Sequence, residues 1–241
     1  MKYQNCIFDL YGTLADIHTD EQSPRLWREM TALYRSHGAV YTPKELQKDY
    51  FRIARELEQE PPYADEPYPE IKIEEVFRRL FENKGVTAAP DLCVAVGGHL
   101  RKSSLEYVRL YDGAKEMLQA LRSNGQGVWL LSNAQRIFTA PELRTLGIEE
   151  LFNGIYLSSD YGCKKPSPRF FNTLLRGQDI PAETAIMIGN DGVCDIQGAQ
   201  SAGLHTLYIH TSISPDEPLP KADYALKEMD MSKVREILTQ K

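Results

Sequence analysis

The chain has 241 residues, with 28 Lys or Arg against 34 Asp or Glu, so its formal charge at pH 7 is −6. This mildly acidic balance gives no electrostatic reason to expect a nucleic-acid or anionic-membrane partner, and no apolar run approaches the ~20 residues that a transmembrane helix needs. The 4 cysteines lie far apart without a Cys-x-x-Cys pair, which argues against zinc and disulfides and favours a reduced, cytoplasmic protein.

The first predicted element is a short strand at residues 4–9, which begins without the pattern of a signal peptide. Further apolar runs, equally short, lie at 128–131, 155–157, 185–188 and 206–209. Strands covered on both faces have this continuous apolar pattern, which is typical of a parallel sheet. Helical patterns lie between these runs, at 114–123, 168–176 and 195–202. The alternation predicts an α/β fold with a doubly wound, mostly parallel sheet.

Residues 19–109 interrupt this alternation. They show helical periodicity in at least four stretches and no convincing strand. An all-helical insertion after the first strand is the simplest organisation. We therefore expect a core made of residues 1–16 and 109–241, with an all-helical cap domain at 17–108.

Three features of the insertion have ordinary structural interpretations. The Pro-rich acidic stretch at 59–69 predicts a loop, either a connector or part of the substrate site. Gly97-Gly98 indicates a kink or break in the last helical stretch. Arg101-Lys102 indicates a solvated helix face.

Polar side chains follow the apolar strands where open α/β sheets bind ligands, beyond the carboxyl ends of the strands. Asp9 ends the first strand and could be a nucleophile or a metal ligand. Ser132 ends a later strand, and with Asn133 it offers hydroxyl, amide and backbone donors to an anion. Taken singly, each of these residues is equally compatible with a loop or helix cap.

Two further segments carry charges of opposite sign. Lys165 precedes a helix that starts at a proline, and it could bind a phosphate or balance nearby acids. Asp191 and Asp195 follow the apolar run at 185–188, and helical spacing would bring them to one face. Because uncompensated carboxylates repel each other there, the pair predicts a nearby lysine or Mg²⁺ ion. The alternatives are a solvated lysine pair and an ordinary helix cap.

In order and spacing, these four segments resemble the haloacid dehalogenase (HAD) superfamily of hydrolases. That family's pattern is an Asp-x-Asp-x-Thr strand end, a Ser or Thr strand end, a Lys, and then two acids after another apolar strand. The resemblance covers nearly the whole chain, and the helical insertion looks like the family's cap. It implies a Rossmann-like core and a hydrolase that acts on a small-molecule substrate.

The resemblance also implies catalytic roles. Asp9 would be the nucleophile and would form a covalent aspartyl intermediate that water then hydrolyses. Ser132 would hydrogen-bond the transferring group, and Lys165 would orient Asp9 and offset negative charge. Thr13 and Asn133 would contribute through loop geometry and backbone donors.

The same resemblance implies a Mg²⁺ cofactor. Its ligands would be the Asp9 carboxylate, the Tyr11 backbone carbonyl and Asp191, and Asp195 would support the metal directly or through water. Phosphoryl transfer needs little beyond positioning and charge neutralisation, which these groups provide.

Tyr11 departs from the phosphatase pattern, in which an Asp at this position acts as general acid and base. A phenol with an ordinary pKa near 10 is a poor proton shuttle at neutral pH. Asp-x-Tyr-Gly-Thr is typical instead of the family's 2-haloacid dehalogenases, which need no metal. Those enzymes commonly have Ser or Asn where this chain has Asp191 and Asp195, and they tend to carry a Tyr at the position of Phe171.

The first motif thus favours a dehalogenase and the fourth a Mg²⁺ phosphatase. Three clustered acids without a cation would be costly, so the sequence favours a Mg²⁺-dependent phosphatase of a small phosphorylated metabolite. A 2-haloacid dehalogenase is the alternative, and a non-catalytic phospho-ligand binding protein is a second one. The sequence specifies neither the substrate nor the oligomeric state.

Overall fold

A computed structural model describes residues 2–60, 62–215 and 218–240. Pro61 of the Pro-rich stretch, Asp216 and Glu217 lie outside the described residues. Within the described ranges, no helix is long and apolar enough to cross a membrane. The strands are β1 (Asn5–Phe8), β2 (Ala15–Thr19), β3 (Leu105–Leu110), β4 (Gly127–Ser132), β5 (Gly154–Leu157), β6 (Ala185–Gly189), β7 (His205–Ile209) and β8 (Tyr224–Leu226). The helices are α1 (Pro24–Ser36), α2 (Pro43–Glu58), α3 (Ile73–Glu82), α4 (Pro90–Ser104), α5 (Ala114–Ser123), α6 (Arg136–Leu146), α7 (Ser158–Tyr161), α8 (Pro168–Gly177), α9 (Gly198–Ser201) and α10 (Met231–Leu238).

One parallel sheet of 6 strands forms the core, in the order β5-β4-β1-β6-β7-β8. Alternate residues of β1 enter different apolar clusters: Phe8 packs in one and Ile7 in the other. The sheet is therefore covered on both faces, which explains the continuous apolar runs. The predicted α/β fold with a doubly wound parallel sheet is confirmed, and each predicted strand of the sheet ends within one residue of the observed bounds.

Four helices, α1 to α4, lie between β2 and β3 and enclose a separate apolar cluster. Aromatic side chains form much of this cluster, including Trp27, Tyr34, Tyr50, Phe77 and Phe81. β2 and β3 pair as an antiparallel ribbon that links the helices to the sheet. The prediction of no strand within 19–109 is wrong at β3. This strand is exposed or half-buried along its length, so it lacks the apolar run that marks the strands of the main sheet.

The α4 helix continues through Gly97 and Gly98, so the helix does not break there as one of the predicted alternatives had it. A Cβ at Gly97 would lie 2.4 Å from Ile137 Cδ1 and 2.9 Å from Phe77 Cε2, whereas a Cβ at Gly98 would meet nothing within 4 Å. Gly97 therefore allows α4 to pack closely on α6 and α3.

These two adjacent glycines provide a matched test of the packing. Gly98→Ala should raise the free energy of unfolding by about 0.5–1 kcal/mol, because it removes backbone freedom from the unfolded chain. Gly97→Ala should lower it by about 1–3 kcal/mol, because its methyl group overpacks the contact with Phe77 and Ile137. Urea unfolding of both variants measures the difference, and equal stability of the two would contradict the close approach of α4.

Candidate active site

Seven of the residues that the sequence singles out for catalysis or metal binding line one cavity of about 220 Å³. They are Asp9, Tyr11, Ser132, Asn133, Lys165, Asp191 and Asp195. Asn190, Cys194, Ile213 and Pro215 complete the described lining. A larger cavity of about 450 Å³ lies beside α5 and α10, but none of the strand-end segments lines it. The parallel strands explain the convergence, because their carboxyl ends meet at one edge of the sheet.

Lys165 lies at the centre of the cluster, and its side chain is only 1% exposed. Its ammonium donates to Asp9 Oδ1 at 2.8 Å, to Asp195 Oδ1 at 2.7 Å and to the Leu131 carbonyl at 2.8 Å. Ser132 Oγ also donates to Asp9 Oδ1, at 2.9 Å. Asp9 is thus fixed through one carboxylate oxygen. Among the described hydrogen bonds, none reaches its Oδ2.

Burial and charge act in opposite directions on this cluster. Burial alone would favour the neutral amine of Lys165, but the Asp195 and Asp9 carboxylates outweigh it and raise the pKa of Lys165. Burial also raises the pKa of Asp195, with Asp9 adding to the rise and the Lys165 ammonium opposing it. The ammonium is therefore charged throughout the physiological range.

Asn133 joins the loops that carry Ser132 and Lys165. Its Nδ2 donates to the Lys165 carbonyl at 3.0 Å, and its Oδ1 accepts from the Lys165 N–H at 2.8 Å. These two hydrogen bonds fix both the backbone N–H and the backbone carbonyl of Lys165. Asn133 thereby contributes through loop geometry.

The two acids of the fourth segment have different environments. Asp195 is 1% exposed, and its Oδ2 accepts from the backbone N–H groups of Asn190 and Asp191 at 3.0 Å each. Asp191 is half-exposed, and its Oδ1 accepts from the N–H groups of Val193 and Cys194 at the start of a π-helical turn. Such turns are frequent at functional sites. Asp191 Oδ2 receives none of the hydrogen bonds described.

Glycine is required where the chain approaches these acids. A Cβ at Gly189, the last residue of β6, would lie 2.2 Å from Asp195 Oδ2. Gly12 has φ +82°, and a Cβ there would lie 2.4 Å from Asn190 Nδ2. Beside it, Thr13 Oγ1 donates to Asn190 Oδ1 at 3.3 Å. The first and fourth segments thus pack directly against each other.

The Tyr11 hydroxyl is engaged in hydrogen bonds with side chains of α6. It donates to Glu142 Oε2 at 2.5 Å and lies 3.1 Å from Thr139 Oγ1, both on α6. Burial and the Glu142 carboxylate raise the pKa of Tyr11 well above its ordinary value, although Arg101 opposes this. A phenol in this state is a hydrogen-bond donor and not a base at neutral pH.

Arg101 corrects the sequence interpretation, which placed it on a solvated face. Its side chain is 16% exposed, and its Nε donates to Glu142 Oε1 at 2.6 Å. Its guanidinium carbon lies 5.6 Å from the centre of the Tyr11 ring. Sequence reasoning missed this pair because Glu142 lies on α6, a helix with an internal proline that was not predicted.

A metal ion at this site would be bound mainly by two of the carboxylates. In the described part of the chain, no group of three or more His, Cys, Asp or Glu side chains is arranged to hold a metal. Asp195 uses both oxygens on Lys165 and backbone N–H groups. Asp9 and Asp191 each retain one oxygen for a ligand, and hard carboxylate oxygens suit Mg²⁺, which commonly keeps several waters and takes one or two carboxylates. The residues present therefore fit Mg²⁺.

The structure combines an aspartate at the end of the first strand, a buried lysine beside it and a helical insertion of α1 to α4. The chain belongs to the haloacid dehalogenase-like hydrolases, whose family model matches residues 3–203. The family that the sequence resembles is therefore confirmed.

The curated relatives include phosphatases. The chain is 26% identical over 156 residues to a phosphoserine phosphatase of Thermus thermophilus, covering 65% of this chain and 61% of that protein. It is 29% identical over 140 residues to a ribulose-1,5-bisphosphate 5-phosphatase of Halopiger xanaduensis, covering 58% and 59%. The matches span about three fifths of the length of these relatives.

Among solved structures, a 2-haloacid dehalogenase from Pseudomonas syringae pv. tomato is similar to this chain. The TM-score is 0.69 and the identity 21%, and the match covers 98% of both chains. At 21% identity, this similarity shows that the two chains share a fold and nothing about their activities.

The buried lysine generates a stability prediction. Lys165→Met should lower the free energy of unfolding at neutral pH by about 3–5 kcal/mol, because Asp9 and Asp195 would lie buried without a cation. Since the folded protein raises the pKa of Lys165, its stabilising contribution is complete below the pKa of a free lysine. That contribution is lost only as the pH rises through the folded pKa.

The pH dependence and a neighbouring lysine supply the control. As the pH falls, the difference between wild type and Lys165→Met should shrink, because Asp195, whose pKa burial raises, takes up a proton and then needs no cation. Lys164, whose side chain is 34% exposed, should tolerate the same change with little loss. Urea unfolding at several pH values measures both variants. Equal losses at the two positions, or a pH-independent loss at Lys165, would refute the buried charge cluster.

Proposed function

We propose that this protein is a Mg²⁺-dependent phosphatase that hydrolyses a small phosphorylated metabolite through a covalent aspartyl intermediate. The observation that carries the proposal is the charge of the cavity. Among its described lining residues, the carboxylates of Asp9, Asp191 and Asp195 face the single ammonium of Lys165. Because the cavity already carries more negative than positive charge, a phosphate group can bind in it only if a cation binds with it.

Asp9 is the nucleophile in this proposal. Lys165 and Ser132 orient its carboxylate through Oδ1, and this carboxylate attacks the phosphorus atom. A new P–O bond forms to Asp9 as the P–O bond to the leaving group breaks, and the released alkoxide takes a proton from solvent water. Water then attacks the aspartyl phosphate, releasing phosphate and restoring the carboxylate. Lys165 offsets charge on the transferring group, and Ser132 can turn its hydroxyl towards that group.

The Asp9 and Asp191 carboxylates and the Tyr11 backbone carbonyl would hold Mg²⁺. When bound, the ion supplies charge neutralisation for the phosphoryl oxygens. In this arrangement Asp195 positions Lys165 through its short hydrogen bond and supports the metal only through water. The relatives named as phosphatases support the choice of reaction.

Tyr11 favours a second candidate, a 2-haloacid dehalogenase that uses Asp9 on carbon without a metal. Phe171, at the position where such enzymes tend to have a Tyr, is fully buried in an apolar cluster. Within the described lining it does not reach the cavity. With Asp191 acidic and half-exposed at the cavity, we rank the dehalogenase second.

We also place the protein in the cytoplasm. All 4 of its cysteines are free, and Cys6, Cys93 and Cys163 are buried. Unpaired cysteines suit a reducing compartment, where phosphorylated metabolites are available as substrates.

A metal and substrate screen tests the reaction. Wild-type protein should hydrolyse p-nitrophenyl phosphate or a sugar phosphate only with added Mg²⁺, and Asp9→Asn should lower turnover by at least about a thousandfold, as expected for loss of a nucleophile. Chelator-resistant halide release from 2-chloropropionate, without phosphatase activity, would establish the dehalogenase instead. If phosphate and Mg²⁺ raised the melting temperature while every substrate failed, the protein would be a non-catalytic binder.

Substitutions of Tyr11 test the absence of a proton shuttle there. Tyr11→Phe should retain turnover within about threefold, since a general acid or base contributes about a hundredfold or more. It should cost stability, because Glu142 loses a buried donor. Tyr11→Asp should raise phosphatase turnover by restoring a carboxyl group. Steady-state kinetics measure the turnover of both variants, and melting temperatures measure their stability. A large loss of turnover in Tyr11→Phe would assign the phenol a catalytic role.

A further inference from the structure

One segment of the cap contacts both core loops that carry Ser132 and Lys165. We name residues 62–72, which lie between α2 and α3, the cap strap. The strap pairs in antiparallel fashion with the core at Pro69 and Cys163. The Lys164 N–H donates to the Tyr68 carbonyl at 3.0 Å, immediately before Lys165.

The strap also binds the chain just after Lys165. Ser167 Oγ donates to Glu66 Oε1 at 2.9 Å, and Arg169 Nη1 lies 3.2 Å from Glu66 Oε2. Lys165 therefore lies between Lys164, which the strap holds through its backbone N–H, and Ser167, which the strap holds through its side chain.

Glu70 connects the strap to the loop after Ser132. Its Oε2 accepts from Ser158 Oγ at 2.8 Å, and that hydroxyl accepts from the Ala134 N–H at 2.8 Å. Its Oε1 accepts from Gln135 Nε2 at 3.0 Å. The Glu70 carboxylate is thus connected to the loop after Ser132 by two separate routes. One runs through Ser158 to the Ala134 N–H, and the other ends at the Gln135 side chain.

We propose that Glu70 is a positioning residue for the active site, acting through Ser158 and Gln135 to hold the loop of Ser132 and Asn133 in register with Lys165. The inference rests on the proposed function for its effect on turnover. Asn133 transmits the constraint, because its side chain bonds both backbone groups of Lys165. The catalytic groups are thus fully arranged only while the cap strap lies on the core.

Kinetics provide the first test. Glu70→Ala should lower kcat by about 10- to 100-fold while KM changes less, because displacement of reacting groups by a fraction of an ångström costs this much. Glu70→Gln retains an acceptor oxygen and should restore most of kcat. Asp65→Ala is the matched control, since Asp65 is an exposed carboxylate on the same strap without a described side-chain bond. A kcat for Glu70→Ala equal to that of Asp65→Ala would overturn the proposal.

A double-mutant cycle tests the route. Ser158→Ala should reproduce much of the Glu70→Ala defect, and the double variant should lose no more than the worse single one, because both changes break the same connection. Losses that multiply would show that Glu70 acts elsewhere. If Glu70→Ala does not fold, Ser158→Ala and Glu70→Gln carry the same comparison.

Hydrogen exchange separates this inference from the proposed function. In Glu70→Ala, amides at 132–136 and 162–167 should exchange faster than in wild type, while those at 205–209 in β7 and all amides of Asp65→Ala should not change. Unchanged exchange in both loops would overturn the positioning role even if kcat fell. If the wild type hydrolyses neither phosphate esters nor haloacids, the proposed function fails, and the exchange result alone decides the role of Glu70.

Discussion

The buried ammonium of Lys165 is the interaction on which the arrangement of the site depends. It bonds acceptors from the first, second and fourth strand-end segments: Asp9, the Leu131 carbonyl and Asp195. An ammonium taken out of water costs several kcal/mol unless its partners are close and well aligned, and the same holds for each carboxylate. No member of the cluster can therefore be buried without the others. The charge cluster fixes the relative positions of loops that are far apart in the sequence.

Two simple rules made this site predictable. Strands covered on both faces are continuously apolar, so the bounds of β4 and β6 can be read from the sequence. Because such strands are parallel, polar residues at their carboxyl ends converge, which brings Asp9 and Ser132 together. The exposed ribbon of β2 and β3 lacks that pattern and was missed. The burial of Lys165 next to half-exposed Lys164 also has no local signal, since only the tertiary contacts distinguish them.

The cap contributes to the site from two directions, and neither contribution follows from sequence periodicity. Arg101 leaves the end of α4 to pair with Glu142, which in turn holds the Tyr11 hydroxyl. Glu70 leaves the cap strap to bond Ser158 beside the loop of Ser132. Each pairing joins residues more than 40 positions apart along the chain. Polar networks thus join the helical insertion and the strap to the loops at the carboxyl ends of the parallel strands.

The charge balance of the site is compatible with a tyrosine at position 11 among Asp9, Asp191 and Asp195. A carboxylate at position 11 would share the cavity with Asp9 and Asp191, but it could not donate a hydrogen bond to Glu142 as the Tyr11 hydroxyl does. Tyrosine supplies a neutral donor to Glu142 instead, while Arg101 balances that carboxylate. The Tyr11, Glu142 and Arg101 side chains therefore form a neutral set beside the Asp9 cavity. Without a fourth acid, three carboxylates and one ammonium line the cavity, and the proposed Mg²⁺ ion would balance their excess of negative charge.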